Sequence, residues 1–169
     1  SVAVCMIFMA TDGSVDSTVV INGSTTNGPV VIATDNLGLS VANIGDLNGD
    51  DVNDIAVCAQ SDDGAGNTSG AVHIMFMNTD GSIDSTVEIN DSTANGPVLS
   101  EPVLFGLSFA HIGDFNNDGV NDYSVGETDD DDEGDNRGAI HIMFMNTDGS
   151  IDSTVKISDS TANSTCRSF

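Results

Sequence analysis

The sequence D-L-N-G-D-D-V-N-D occupies residues 46–54, and a close copy, D-F-N-N-D-G-V-N-D, occupies residues 114–122. In both copies, positions 1, 3, 5 and 9 carry side-chain oxygens, which is how a short loop surrounds a hard cation such as calcium. Position 7 has no side-chain donor, and we expect it to offer its backbone carbonyl. The predicted ligands are Asp46, Asn48, Asp50, Val52 and Asp54 in the first loop, and Asp114, Asn116, Asp118, Val120 and Asp122 in the second.

The alternative interpretation is a tight turn that binds nothing, because Asp, Asn and Gly also favour turns through hydrogen bonds to the backbone. Two copies in register favour the metal. The loops are not of the EF-hand type, which needs a glutamate at position 12, where this chain has Val57 and Val125. Short β-prone runs follow both loops, so we predict that the loops connect strands.

The composition limits the classes of partner. The net charge is −24, from 27 acidic and 3 basic residues. Binding to nucleic acid or to an anionic membrane needs clustered Lys and Arg, so cations are the expected partners instead. No apolar run approaches the roughly 18–20 residues that cross a bilayer, and no signal segment opens the chain. We therefore expect a processed product or a piece of a longer protein.

The chain is a repeat with a period of 68 residues, the step from Asp46 to Asp114. Residues 73–87 recur without change at 141–155, and residues 3–19 are a looser copy. A period of this size indicates a propeller, a solenoid or another repeat architecture. We predict a partial unit at residues 1–36, a full unit at 37–104 and a second full unit at 105–169.

Each full unit is predicted to contain four strands. In the first unit they cover residues 39–44, 55–59, 71–77 and 85–89, and residues 90–102 form a linker without periodicity. The third strand is apolar on both faces, with Val72, Ile74 and Phe76 on one face and Met75 and Met77 on the other. This pattern predicts a strand buried between two packed sheets.

The second unit contains Phe105-Gly106, then the loop preceded by Gly113, then Val125-Gly126. These residues resemble the FG-GAP repeat, the blade of the integrin alpha-subunit β-propeller. The resemblance implies four-stranded antiparallel blades, a calcium ion held between strands one and two, and the same ten ligands. The chain departs from that pattern at Asp51, where the family has Gly, and in lacking the family's Gly-Ala-Pro; we expect the first loop to bind more weakly.

The expected fold class is all-β, with about two and a half tandem blades of FG-GAP type. A closed propeller needs about four to eight blades, so these are too few to close a ring. Either the chain is a segment of a longer array, or copies associate end to end.

The chain contains four N-x-[ST] sequons, at Asn22, Asn67, Asn90 and Asn163, which are candidate glycosylation sites. Chance also produces sequons in a sequence this rich in Asn, Ser and Thr.

No catalytic arrangement is recognisable. His73 and His141 occupy equivalent positions, where the partial unit has Cys5, and we interpret all three as packing residues. Asp80, Ser82 and Asp84 imitate a metal-binding pattern, but a hairpin turn explains them more simply.

The sequence thus predicts a non-enzymatic, extracellular or cell-surface calcium-binding repeat protein, with one Ca²⁺ per full blade and a structural or adhesive role. Its expected partners are further blades or other copies of the chain. The main alternative is a segment of a longer integrin-like propeller that recognises a protein or glycan. A third is an accessory domain of an extracellular enzyme.

Overall fold

A computed structural model describes residues 3–62, 70–99, 104–128, 138–158 and 160–161. The described chain consists of strands, turns and loops, and none of it forms a helix, so it holds no helix that could span a membrane. The strands are β1 (Val4–Met9), β2 (Val15–Ile21), β3 (Leu37–Gly45), β4 (Asp54–Ala59), β5 (Ala71–Met77), β6 (Ile83–Ile89), β7 (Leu104–Gly113), β8 (Asp122–Thr128), β9 (Ala139–Met145) and β10 (Ile151–Ile157).

The strands form three open antiparallel sheets in which strands adjacent in sequence are paired. We call them the N-terminal hairpin (β1 and β2), the first sheet (β3 to β6) and the second sheet (β7 to β10). The prediction of an all-β chain with four-stranded antiparallel sheets is confirmed.

The sheets are stacked, and β5 shows why. All seven of its residues are buried. Val72, Ile74 and Phe76 belong to the core shared with the second sheet, whereas Met75 and Met77 belong to the core shared with the N-terminal hairpin. A strand that contributes apolar side chains to both faces is stable only between two layers, as its sequence predicted.

Two hydrophobic cores therefore separate the three sheets. The larger core, between the first and second sheets, includes Ile44, Leu47, Val72, Phe76, Phe105, Tyr123, Met143 and Met145. The smaller core, between the hairpin and the first sheet, includes Val4, Ile21, Leu37, Val57, Met75 and Met77. The Tyr123 hydroxyl also donates a hydrogen bond to the Ile44 carbonyl at 2.8 Å, which ties β8 to β3.

Candidate metal centre

The two aspartate loops lie where β3 meets β4 and where β7 meets β8, as predicted. In each sheet the pairing shifts just before the loop, and a glycine with positive φ opposes the first residue of the next strand: Gly45 pairs with Asp54, and Gly113 with Asp122. This irregularity turns the chain out of the sheet. Positions 3 to 5 of each loop are exposed to solvent.

Each loop contains two residues with left-handed backbone, and only one of the two is a glycine. In the first loop they are Gly49 and Asp51, with φ of 81° and 68°. In the second they are Asn117 and Gly119, with φ of 62° and 91°. The strain expected at Asp51 is therefore matched at Asn117, so the missing glycine does not make the first loop the only strained one.

The carboxylate at position 1 organises the loop backbone. Asp46 Oδ1 accepts hydrogen bonds from the N–H groups of Gly49 (2.7 Å) and Asp50 (2.9 Å), and Oδ2 accepts one from Asp51 (2.8 Å). These N–H groups, that of Asp51 most of all, hold the pKa of the Asp46 carboxyl below its usual value. Asp46 is therefore ionised at neutral pH.

In the second loop, Asp114 has the same role. It accepts the N–H of Asp118 on Oδ1 and that of Gly119 on Oδ2, both at 3.0 Å. The two loops thus have one hydrogen-bonding design despite their different glycine positions.

Positions 1, 3 and 5 are brought together in both loops. The N–H of Asp50 donates both to Asp46 Oδ1 and to Asn48 Oδ1 (3.1 Å), so these two oxygens converge on one hydrogen. The Asn48 amide then donates to Asp50 Oδ2 at 2.9 Å. The second loop repeats both contacts: the N–H of Asp118 lies 3.0 Å from the oxygens of Asp114 and Asn116, and the Asn116 amide donates to Asp118 at 2.7 Å.

Position 9 has a different environment, which the sequence did not reveal. Asp54 is fully buried; its Oδ2 accepts the N–H of Leu47 and its Oδ1 accepts that of Met77, each at 3.0 Å. The carboxylate therefore joins the loop to the end of β5. Asp122 makes the equivalent bonds to Phe115 (2.8 Å) and Met145 (3.2 Å). The available signal was an aspartate that begins the strand after each loop, which in the first unit is an otherwise apolar strand.

The electrostatics of the first loop favour a cation. Burial raises the pKa of Asp54, and the negative charges of Asp50 and Asp46 raise it further, against the opposing effect of the Leu47 and Met77 N–H groups. The three carboxylates therefore repel one another across the loop. A positive charge placed among them would relieve this repulsion.

The ligand chemistry fits calcium or another hard cation, since every candidate side-chain ligand is a carboxylate or amide oxygen. Asp46 accepts three hydrogen bonds and Asp50 accepts two, so both have acceptor capacity left within the four or so positions of a carboxylate. In the described ranges, however, no three His, Cys, Asp or Glu side chains are gathered into a group that could hold a metal.

At position 7, the structure shows an apolar anchor. The side chain of Val52 packs against the smaller core and that of Val120 against the larger one. The Val52 N–H donates to Asp50 Oδ1 at 2.8 Å, and the Val120 N–H to Asp118 Oδ1 at the same distance. The carbonyl contribution of these valines stays a prediction.

Two buried histidine–carboxylate pairs were not predicted. His73 Nε2 lies 3.2 Å from Asp62 Oδ2, and His141 Nε2 lies 2.6 Å from Glu127 Oε2, with all four side chains buried. Lys156 Nζ is 3.6 Å from the same oxygen of Glu127. The histidines are buried, as expected of packing residues, but each also has an ionisable partner; Cys5, which was interpreted in the same way, is exposed, so that interpretation was wrong for Cys5. The requirement that buried polar groups be paired could have signalled such a partner, though not its identity.

The remaining candidate sites divide between described and undescribed residues. Asn22 and Asn90 each begin a turn after the last strand of a unit, and their side-chain oxygens accept the N–H groups of Ser24 and Ser92, both at 2.9 Å. The sequons at Asn67 and Asn163 lie outside the described residues. Asp80 accepts hydrogen bonds from both the N–H and the hydroxyl of Ser82 within the β5–β6 hairpin, which fits the turn interpretation.

No protein-family model matches the sequence, and no curated protein matches it either. The resemblance to FG-GAP repeats thus stays a prediction from the residues quoted above.

Proposed function

We propose that this chain is a non-enzymatic, extracellular calcium-binding repeat protein with a structural or adhesive role in an array. In this proposal, calcium stiffens each of the two four-stranded sheets. One observation carries the proposal: two loops 68 residues apart present the same arrangement, in which the position 1 and position 3 oxygens accept the backbone N–H of position 5 and the position 3 amide donates to the position 5 carboxylate.

The ion would be held by the oxygens of Asp46, Asn48, Asp50 and Asp54 with the Val52 carbonyl, and by their counterparts in the second loop. Bound there, calcium supplies positive charge that offsets the mutual repulsion of the carboxylates. The protein's own part is to orient the oxygens. Backbone N–H groups fix Asp46, and the bonds from Leu47 and Met77 fix Asp54.

The mechanical consequence follows from Asp54 and Asp122. Each joins its loop to the third strand of its sheet, and that strand lies at the junction between stacked sheets. An ion that stabilises the loop therefore also restrains the strands that form the stack. The net charge of −24 is consistent with cations as partners.

Thermal unfolding followed by circular dichroism in calcium and in chelator tests the proposal. At a calcium concentration 100 times Kd, binding adds about 2.7 kcal/mol per site. For a chain of this size that is a rise in Tm of about 5–10 °C for each site, and about 10–20 °C for the two sites together.

The informative variant is Asp50→Asn combined with Asp118→Asn. Both side chains are exposed and accept hydrogen bonds from residues of their own loops, so stability in chelator should change by less than about 1 kcal/mol while most of the calcium-dependent rise is lost. Asp84→Asn, an exposed site on β6, is the matched control for loss of charge. A wild type with the same Tm in calcium and chelator, or a double variant that keeps the full rise, would refute the proposal.

A further inference from the structure

The junctions between stacked sheets share a contact between a phenylalanine and a glycine. A Cβ at Gly81, in the β5–β6 turn, would lie 2.7 Å from the ring of Phe8 in the N-terminal hairpin. A Cβ at Gly149, in the β9–β10 turn, would lie 3.2 Å from the ring of Phe76 in the first sheet. In both junctions the ring of one sheet therefore packs against the turn of the next; a Cβ would clash with the ring at Gly81 and would make a tight contact with it at Gly149.

A second contact also recurs at each junction. The carbonyl of Asn27 accepts a hydrogen bond from the Thr86 hydroxyl at 2.7 Å, across the junction of the hairpin with the first sheet. The carbonyl of Asn95 accepts one from the Thr154 hydroxyl at 2.8 Å, across the next junction. In both cases, the turn after a unit's last strand is therefore hydrogen-bonded to the last strand of the next sheet, β6 or β10. We call this bond the fastening contact.

We call the face of the second sheet that is turned away from the first sheet the forward end. It carries the residues that form one side of such a junction. Three residues here are counterparts, at the 68-residue step, of Leu47, Val72 and Phe76, which are all buried against the next sheet: Phe115 in the β7–β8 loop, and Ile140 and Phe144 in β9. Phe115 is 60% exposed and Ile140 is 49% exposed. Phe144 is only partly buried and has Phe115 as an aromatic neighbour, with ring centroids 6.4 Å apart.

We call the face of the N-terminal hairpin that is turned away from the first sheet the backward end. It carries the residues that form the other side of the junction. Ile7 and Met9 correspond to Met75 and Met77, which lie in the smaller core, but they are 55% and 57% exposed. Gly13 is the counterpart of Gly81 and Gly149 and has a similar φ of 85°, yet among the described residues nothing lies within 4 Å of the position that its Cβ would take. The surface that receives a phenylalanine ring is present here without the ring.

We propose that a second copy of this chain docks head to tail, with the second sheet of one copy against the N-terminal hairpin of the next and Phe144 against Gly13. The occupant is a second copy because the two surfaces are residue-by-residue counterparts of an interface that exists twice within the chain. The two strands of the hairpin correspond to the third and fourth strands of a four-stranded sheet. The contact therefore reproduces the part of the internal junction that those two strands form. Because the two surfaces differ, the contact is heterologous and propagates. The inference rests on the proposed array function.

The chain after β10 makes the same bond that begins the turn in the two earlier units. The N–H of Ser158 donates to the Thr161 hydroxyl at 2.9 Å, as Asn22 does to Thr25 and Asn90 does to Thr93. The described residues after β10 thus share this bond with the turns that, in the two earlier units, precede a docked sheet; the counterpart of Asn27 and Asn95 in the fastening contact lies outside the described residues.

Sedimentation velocity with two end-blocking variants tests the proposal. Phe144→Glu places a charge on the forward surface, and Ile7→Glu places one on the backward surface. The samples contain calcium and a reductant, because Cys5 is exposed and could cross-link copies.

The wild type is expected to show a mass that increases with concentration. Each variant alone should associate roughly tenfold or more weakly, since loss of a central apolar contact removes a large share of binding energy. An equimolar mixture of the two should stop at a dimer, because each supplies the surface that the other lacks.

Ile140→Glu, at a position already half exposed, replaces Phe144→Glu if that variant unfolds. A wild type that stays monomeric at high concentration, a single variant that associates as well as wild type, or a mixture that stays monomeric would each overturn the proposal. Melting curves in calcium and chelator on the same samples, at a concentration where wild type is monomeric, keep the two proposals distinct. A calcium-dependent Tm without association contradicts only the docking, and association without a calcium-dependent Tm contradicts only the calcium role.

Discussion

Replacing Asp54 by asparagine separates what this residue does for the fold from what it would do for a metal. The wild-type carboxylate accepts the Leu47 and Met77 N–H groups on different oxygens, each at 3.0 Å, with no exposure to solvent. An asparagine has the same shape but only one acceptor oxygen. Its NH₂ group would therefore face one of two N–H donors in a site that water does not reach.

The expected cost follows from these contacts. A hydrogen bond to a charged acceptor contributes about 1.5–3 kcal/mol, and a buried donor left unpaired costs about 1–3 kcal/mol. Loss of the negative charge offsets part of this cost, because burial and the nearby Asp46 and Asp50 charges disfavour the ionised form. We expect a net loss of about 3 kcal/mol in the free energy of unfolding, or about 6–12 °C in Tm.

Urea unfolding in chelator, followed by far-UV circular dichroism, measures the change. Asp54→Asn should lower the midpoint without altering the slope, and Asp84→Asn on the exposed face of β6 should move it by less than about 0.5 kcal/mol. If Asp54→Asn is as stable as Asp84→Asn in chelator, the carboxylate does not join the loop to β5, and the reasoning fails.

Three further predictions concern the backbone and the sheet junctions. Asp51→Gly should stabilise the chain by about 0.5–1 kcal/mol in urea unfolding, because Asp51 has left-handed φ; a loss would contradict that conformation. Gly81→Ala should cost about 1–3 kcal/mol more than Gly13→Ala, since only Gly81 has a ring against it; equal melting temperatures at monomer concentration would argue against the junction. His141→Ala should cost about 1–3 kcal/mol, because it removes the imidazole that hydrogen-bonds the buried Glu127 and leaves that carboxyl with the more distant Lys156, at 3.6 Å; a cost under about 0.5 kcal/mol would contradict the buried pair.

The sequence alone was sufficient for the repeat and for most of the strand pattern, because both are recorded in local periodicity. It predicted a strand at residues 71–77 with the bounds that the structure shows, and it placed the other three strands of the unit within two residues at either end. Because both faces of this strand are apolar, the sequence implied a layer on each side, and Val72 and Met75 do lie in different cores. The loops were recognisable because their oxygen-bearing residues are close together in the chain.

Only the tertiary structure could decide which distant groups meet. Asp54 bonds the N–H of Met77, 23 residues further along the chain, and no local pattern specifies that contact. The two equivalent histidines take partners from positions that are not equivalent: His73 pairs with Asp62, whereas His141 pairs with Glu127. The repeat therefore predicted where a buried imidazole would lie but not which carboxylate would approach it, because pairing depends on which side chain the packing of each sheet brings within reach.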